Sequence, residues 1–284
     1  MLTALSGVSF GSILFLVASG FSLIFGVMGV LNLTHGVLYM VGAYIGWTLA
    51  IQHGHNFLLA IVAGGVGAAI IGLILDQGFL RRIHGMLAQQ VLLTFGFIYV
   101  LTNLCLWYWG ALPRAPFTAP TLDWSFPLAG LQYPFARVVI TLIGIALAVF
   151  LWWLQSKTKF GMVIRAGMND KEMTVGLGIN YGIVAAAIFL LGCFLAGAAG
   201  VVGSQLFGAH LGLGQEILLF AVAVVVVGGL GSIPGALVGG LVTGLVVSFG
   251  TVLLPGLAMF FVYLVMIVVL MIRPTGILGR AITD

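Results

Sequence analysis

Phe160 to Asn180 reads FGMVIRAGMNDKEMTVGLGIN and holds Arg165, Asp170, Lys171 and Glu172, four of the sixteen acidic and basic residues in a chain that is 62% hydrophobic. Long apolar runs flank it on both sides. A polar stretch between two such runs marks a segment exposed to water between two membrane crossings. It is also a natural place for another protein to dock.

The spacing predicts a helix, a break and a second short helix. Phe160, Ile164 and Met168 recur every four residues and make an apolar stripe beside Arg165. Asn169 can cap a new helix, with Glu172 three residues later reaching back to it, and Gly176 or Gly178 can close that helix in the left-handed conformation. By its local pattern alone, the segment equally describes an ordinary interfacial loop helix.

With 284 residues and only 6% charged side chains, the chain cannot hide its apolar surface in a soluble core. A membrane span needs ~20 apolar residues. The expected fold is therefore all-α: a polytopic helical bundle of about eight or nine transmembrane helices with discontinuous or re-entrant segments. The formal charge of +4 does not point to nucleic acid, because the basic residues are scattered and lie mostly at span ends, where the positive-inside rule accounts for them. Cys105 and Cys193 both fall in apolar runs and read as small core hydrophobes rather than a disulfide or metal pair. No metal-ligand cluster, phosphate-binding glycine loop or paired carboxylate site is evident. Met1 to Ala4 lacks the positive region of a signal peptide, so the first span is expected to be retained.

Taken in order, the expected spans are Leu5–Phe25, Leu38–Ile51, Phe57–Leu75, Gln90–Trp109, Phe135–Leu154, Ile183–Ser204, Ile217–Val227, Ala236–Val252 and Leu257–Ile272. Arg81 and Arg82 in the connection Asp76 to His84, with Lys157, Lys159, Arg165 and Lys171 later, put those connections in the cytoplasm. The N-terminus then lies outside and the C-terminus inside. Residues 110–134 carry Pro113, Pro116, Pro120, Pro127 and Pro134, which exclude a long helix and mark the largest external loop. Small residues four apart (Gly42 with Gly46, Ala196 with Gly200, Gly235 with Gly239, Gly240 with Gly244) predict close helix packing within the chain.

Two apolar stretches are interrupted alike. In the first, Gly26 and Gly29 lead to Asn32 and Thr34, both good caps, before His35 starts a new helix. In the second, Gly228, Gly229 and Gly231 lead to Ser232 as cap, with Pro234 in the first turn. Non-helical backbone is tolerated at membrane depth only where it is buried in protein or lines a wet cavity, so paired interruptions point to a translocation path. Its candidates are Asn32, Thr34, His35, Gly36, Gly231, Ser232 and Pro234. Tight turns between consecutive spans would give the same pattern, and His35 can either hold the break together or touch a substrate. Glu216, at a span entrance, reads equally as a solvated end residue.

Arg165-Ala166, followed by Asp170, Glu172 and Gly178-Ile179-Asn180, resembles the cytoplasmic coupling segment of ABC importer permeases, in the form found in the branched-chain amino-acid importer family. Asn32-Leu33-Thr34-His35-Gly36 resembles that family's Asn-x-x-His-Gly signature. Gly228 to Ala236 and Arg273-Pro274-Thr275-Gly276 resemble two more. The resemblance implies one permease domain over residues 1–284, in a bacterial inner membrane, with a coupling segment at 155–182 in which Arg165, Asp170, Lys171, Glu172 and Gly178 meet the ATPase. It implies two cytoplasmic ATPase subunits, a second related permease subunit and a periplasmic or lipid-anchored binding protein. ATP and magnesium would be held by the ATPases, with no cofactor in this chain and no covalent chemistry. The implied substrates are branched-chain or related small amino acids. A secondary carrier or channel would instead need its own coupling-ion site, and an intramembrane hydrolase a serine such as Ser232 beside His35 or His210.

Overall fold

The computed structural model describes residues 1–279 apart from 84, 119–121, 129–130 and 170; for 128, 131, 168, 169, 171 and 172 it gives the backbone alone. Among the described residues are eleven α-helices: α1 (Leu2–Met28), α2 (His35–Trp47), α3 (Phe57–Gly78), α4 (Leu87–Trp109), α5 (Phe135–Lys157), α6 (Lys159–Asn169), α7 (Lys171–Gly176), α8 (Tyr181–Phe207), α9 (Leu213–Gly228), α10 (Ile233–Leu253) and α11 (Ala258–Ile272). Six of them (α1, α3, α4, α5, α8 and α10) are long and apolar enough to cross a membrane.

The other three expected spans are short. At 1.5 Å per residue α2, α9 and α11 reach only ~20–24 Å, against ~30 Å of hydrocarbon. They are the discontinuous elements of the bundle. A π-helical turn, Thr48–Gln52, continues α2, and the Thr48 hydroxyl accepts from the Trp109 indole at 2.8 Å.

Helix α1 is the central post. From Ser9 to Ile24 every residue is buried, and no polar stripe survives on a helix covered on all sides. It runs antiparallel to α10: Gly7 and Gly11 lie on Gly240 and Gly244, and the Ser248 hydroxyl donates to the Thr3 carbonyl at 2.7 Å. Helix α8 packs on α1 through Gly192 and Gly20, and on α3 through Gly197 against Gly64 and Ala68 and through Cys193 against Gly72. Lipid offers no hydrophobic drive between apolar helices, so backbone-to-backbone approach at small residues holds them together. The predicted small-residue motifs all serve seams inside this chain. A methyl group on Gly42 would overlap the Gly197 backbone, one on Gly200 the Tyr39 carbonyl, and one on Gly235 the Gly228 carbonyl. Cys105 and Cys193 are buried and free.

The proline-rich stretch holds no α-helix among its described residues. It contains a hairpin that the sequence did not suggest, β1 (Ser125–Leu128) against β2 (Leu131–Pro134), with Phe126 paired to Tyr133. Arg114 ties its start to the bundle: it sits 4.7 Å over the Trp47 ring, donates to the Trp109 carbonyl, and pairs with Ala209 through the backbone.

Candidate functional site

At the first interruption Gly29, in the left-handed region at φ 63°, ends α1 by donating its N–H to the Phe25 carbonyl. The chain then turns back instead of continuing. His35 starts α2 against the middle of α1, where its Nε2–H donates to the Val17 carbonyl at 3.0 Å and its ring meets Phe21 edge-on. Asn32, Thr34 and His35 are fully buried. Thr34 occupies the N-cap position without capping: its hydroxyl donates to Asn32 Oδ1 instead. Asn32 Nδ2 and His35 Nδ1 have no hydrogen-bond partner among the described residues, which is costly inside an apolar core. Gly36 brings the first turn of α2 onto the first turn of α9, since a side chain there would overlap the Gly214 carbonyl. The Asn-x-x-His-Gly stretch is thus a re-entrant junction and not a turn between two complete spans.

The second interruption is built as its residues suggest. Ser232 caps α10, accepting from the Gly235 N–H at 3.1 Å, and Pro234 lies in the first turn, where its missing donor does no harm. Gly229 and Gly231 take positive φ values of 109° and 75°. The Arg273 to Gly276 turn folds onto this break. Ile277 and Leu278 donate their N–H groups to the carbonyls of Val227 and Gly228, and Gly276 lies against Gly229. Two stretches far apart in sequence therefore form one closed end for α9, whose last carbonyls would otherwise be orphaned.

The polar segment lies at the end of the bundle where α1 stops and the second interruption begins. Thr158 caps α6, accepting from the Gly161 N–H at 3.0 Å, a cap that the sequence reading did not mark. The inner face of α6 is the predicted stripe in part: Ile164 is fully buried and Phe160 half-buried, joined by Gly161 and Gly167. The Met168 side chain lies outside the description. Helix α7 follows, and of the two glycines offered as its close, Gly178 takes the left-handed conformation at φ 81°. Gly176 is the last helical residue. Arg165 is half-buried on α6, Asp170 lies outside the described residues, and Lys171 and Glu172 are placed by backbone only. On the outer surface Met162, Met173, Val175 and Leu177 are exposed, Leu177 at 71%.

A cavity of about 680 Å³ opens beside this segment. Met28 at the end of α1, Asp76 in the last turn of α3, Arg81 in the short turn that follows it, and Gly178 to Gly182 with Ala185 and Ala186 at the start of α8 line it. Asp76 corrects an expectation: it is not in a water-exposed connection but in the last turn of α3, 2% exposed, with Arg81 Nε at 3.3 Å from its Oδ2. The helix runs three residues further than the apolar run, carrying the carboxylate inward.

The sequence profile of the family described as "Branched-chain amino acid transport system / permease component" matches residues 3–270. The chain belongs to this permease family. It is 29% identical over 289 residues to the high-affinity branched-chain amino acid transport system permease protein BraD of Pseudomonas aeruginosa, covering 97% of this chain and 94% of that protein. It is also 29% identical to the permease protein LivH of Escherichia coli K12, with the same coverage, and to the probable permease protein LivH of Methanocaldococcus jannaschii, covering 95% of this chain and 90% of that one. These relatives are transport components, not enzymes. Among solved structures, PsaBC from Streptococcus pneumoniae in complex with Fab shares the fold at a TM-score of 0.52 and 13% identity, over 94% of this chain and 89% of that one.

The permease brings its family-like stretches into two junctions, one running from the end of α1 back to its middle and one closing the end of α9. The groups a hydrolase would need are engaged elsewhere: Ser232 in a helix cap, His35 on Val17, and His210 3.9 Å from Glu216. Glu216 itself is exposed in the first turn of α9, where a negative charge suits the helix dipole. Tyr181 joins the site from outside these motifs. It opens α8 as the first residue of an apolar run, and nothing in its sequence context marks it. Its hydroxyl nevertheless donates to the Val27 carbonyl at 2.7 Å, across 154 residues.

Proposed function

We propose that the permease carries branched-chain or related small amino acids inward as one subunit of an ATP-driven importer in the cell's inner membrane. Segment 155–182 docks on the importer's ATPases through Arg165, Asp170, Lys171, Glu172 and Gly178. The observation that supports this most is the two-faced build of α6 and α7. Ile164, Gly161 and Gly167 pin the inner face to the spans, while Met162, Met173, Val175 and Leu177 leave apolar side chains outward among basic residues. Exposed apolar residues rimmed by charge at a water-facing end suit a protein partner. Two ATPase subunits would hold the ATP and magnesium, a second related permease subunit would complete the pathway, and a periplasmic or lipid-anchored binding protein would select the amino acid. Asn32, Thr34, His35 and Gly36, with Gly231, Ser232 and Pro234, form the junctions along the path.

Charge supports the orientation. Arg81, Arg82, Lys157, Lys159, Arg165, Lys171 and Arg273 gather at the end where α1 stops and the second interruption begins, against Arg114 and Arg137 at the other. The positive-inside rule places the first end in the cytoplasm, with the C-terminus there and the N-terminus and loop 110–134 outside.

The test is affinity purification of the tagged permease from its native membranes. Two ATPase subunits are expected to accompany the wild type, and the double variant Asp170→Ala, Glu172→Ala should lose at least 80% of them while still reaching the membrane. A permease that purifies alone, or a variant that keeps its full ATPase complement, contradicts the docking assignment.

A further inference from the structure

Tyr181 lies where the docking segment, the central post and the cavity meet. On one side its ring lies against Gly167 of α6, so closely that a methyl group on that glycine would overlap it. At its tip the hydroxyl donates to the Val27 carbonyl, two residues before the left-handed Gly29 that starts the re-entrant return. That return ends at His35, whose ring is bonded to Val17 of the same helix. The carboxyl half of α1 is thus held twice, by Tyr181 at its end and by His35 at its middle, with Asn32 and Thr34 buried in the loop between.

From this geometry we infer that Tyr181 is a positioning residue that carries displacement of α6 to the end of α1 and so to the Asn32–His35 junction. The inference rests on the importer assignment above. Three features support it. Gly167 allows ring-to-backbone contact without an intervening flexible side chain, so a shift of α6 is passed on and not absorbed. The Val27 carbonyl lies in the last turn of α1, where it has no intrahelical donor to lose and accepts the phenol instead. The cavity of about 680 Å³, lined by Tyr181 together with Met28, Asn180, Gly182 and Ala185, supplies the space such a movement needs.

The experiment compares wild type with Tyr181→Phe, which keeps the ring and deletes only the hydroxyl, in the complete importer reconstituted in liposomes. Leucine import and ATP hydrolysis are both measured. Wild-type import driven by ATP is the control for the importer assignment: without it, that assignment fails first and this one falls with it. Given that control, Tyr181→Phe is expected to lower import at least fivefold while ATP hydrolysis stays within twofold, giving a collapse in leucine moved per ATP. A second readout is a single cysteine, Leu31→Cys, in the protein with Cys105 and Cys193 replaced by alanine. Its labelling by a thiol reagent should change with nucleotide in the Tyr181 protein and lose that change in Tyr181→Phe. Unchanged import, a parallel fall of import and hydrolysis, or a complex that no longer assembles would each show a purely structural tyrosine and overturn the inference.

Discussion

Gly42→Leu should leave almost no folded protein in the membrane, whereas Gly96→Leu should accumulate at the wild-type level. Both glycines lie within helices and receive the same side chain. Gly42 faces the Gly197 backbone, and there is no flexible side chain in between to give way; Gly96 on α4 has nothing within 4 Å of where its Cβ would stand. Overpacking a well-filled interior costs ~1–3 kcal/mol and occasionally more. With backbone on both sides of the seam, the expected cost for Gly42 is at the upper end, about 3 kcal/mol or more, a large share of ordinary stability. On Gly96 the leucine meets open space and is the better helix former. Membrane protein level and the melting temperature of the detergent-solubilised protein would check both. Equal loss in the two variants would mean that the glycines act through helix propensity rather than through the seam.

His35→Ala carries the second large effect. The ring is fully buried, packs against Phe21 and Gly20, and donates to the Val17 carbonyl. Truncating it opens a void and removes a hydrogen bond, for an expected loss of about 2–4 kcal/mol by analogy with other large-to-small core changes. Leucine import should fall at least tenfold. His35→Gln keeps a donor of similar reach, so it should recover most of the stability and at least half of the import. A glutamine variant that is as stable as wild type yet inactive would instead make His35 a group that touches substrate.

Much of the bundle can be read from the sequence because lipid makes span length and apolarity decisive. The runs around Phe160–Asn180, the capped start at Ser232-Ile233-Pro234 and the left-handed close at Gly178 all follow from local rules of length, cap and backbone conformation. Four features escape such rules, three of them because they depend on a partner far away in sequence. The return of His35 to Val17 turns an apparent loop into a re-entrant junction. Asp76 sits among charged neighbours in sequence but is carried inward by the last turn of α3 and paired with Arg81. The docking of Ile277 and Leu278 on the end of α9 joins two stretches that look independent in one dimension. Tyr181 is the extreme case: an aromatic residue at the start of an apolar run has no local signal to separate a membrane anchor from a link between α6 and α1.

Central to this account is a permease driven by ATP through its polar segment, so the most direct measurement is leucine uptake into liposomes holding the complex purified with its partners. Uptake that requires ATP and the binding protein, and that is indifferent to an imposed proton or sodium gradient, is the predicted result. Uptake by the permease alone, driven by such a gradient without ATP and abolished by Asp76→Asn, would contradict the account and make the protein a carrier.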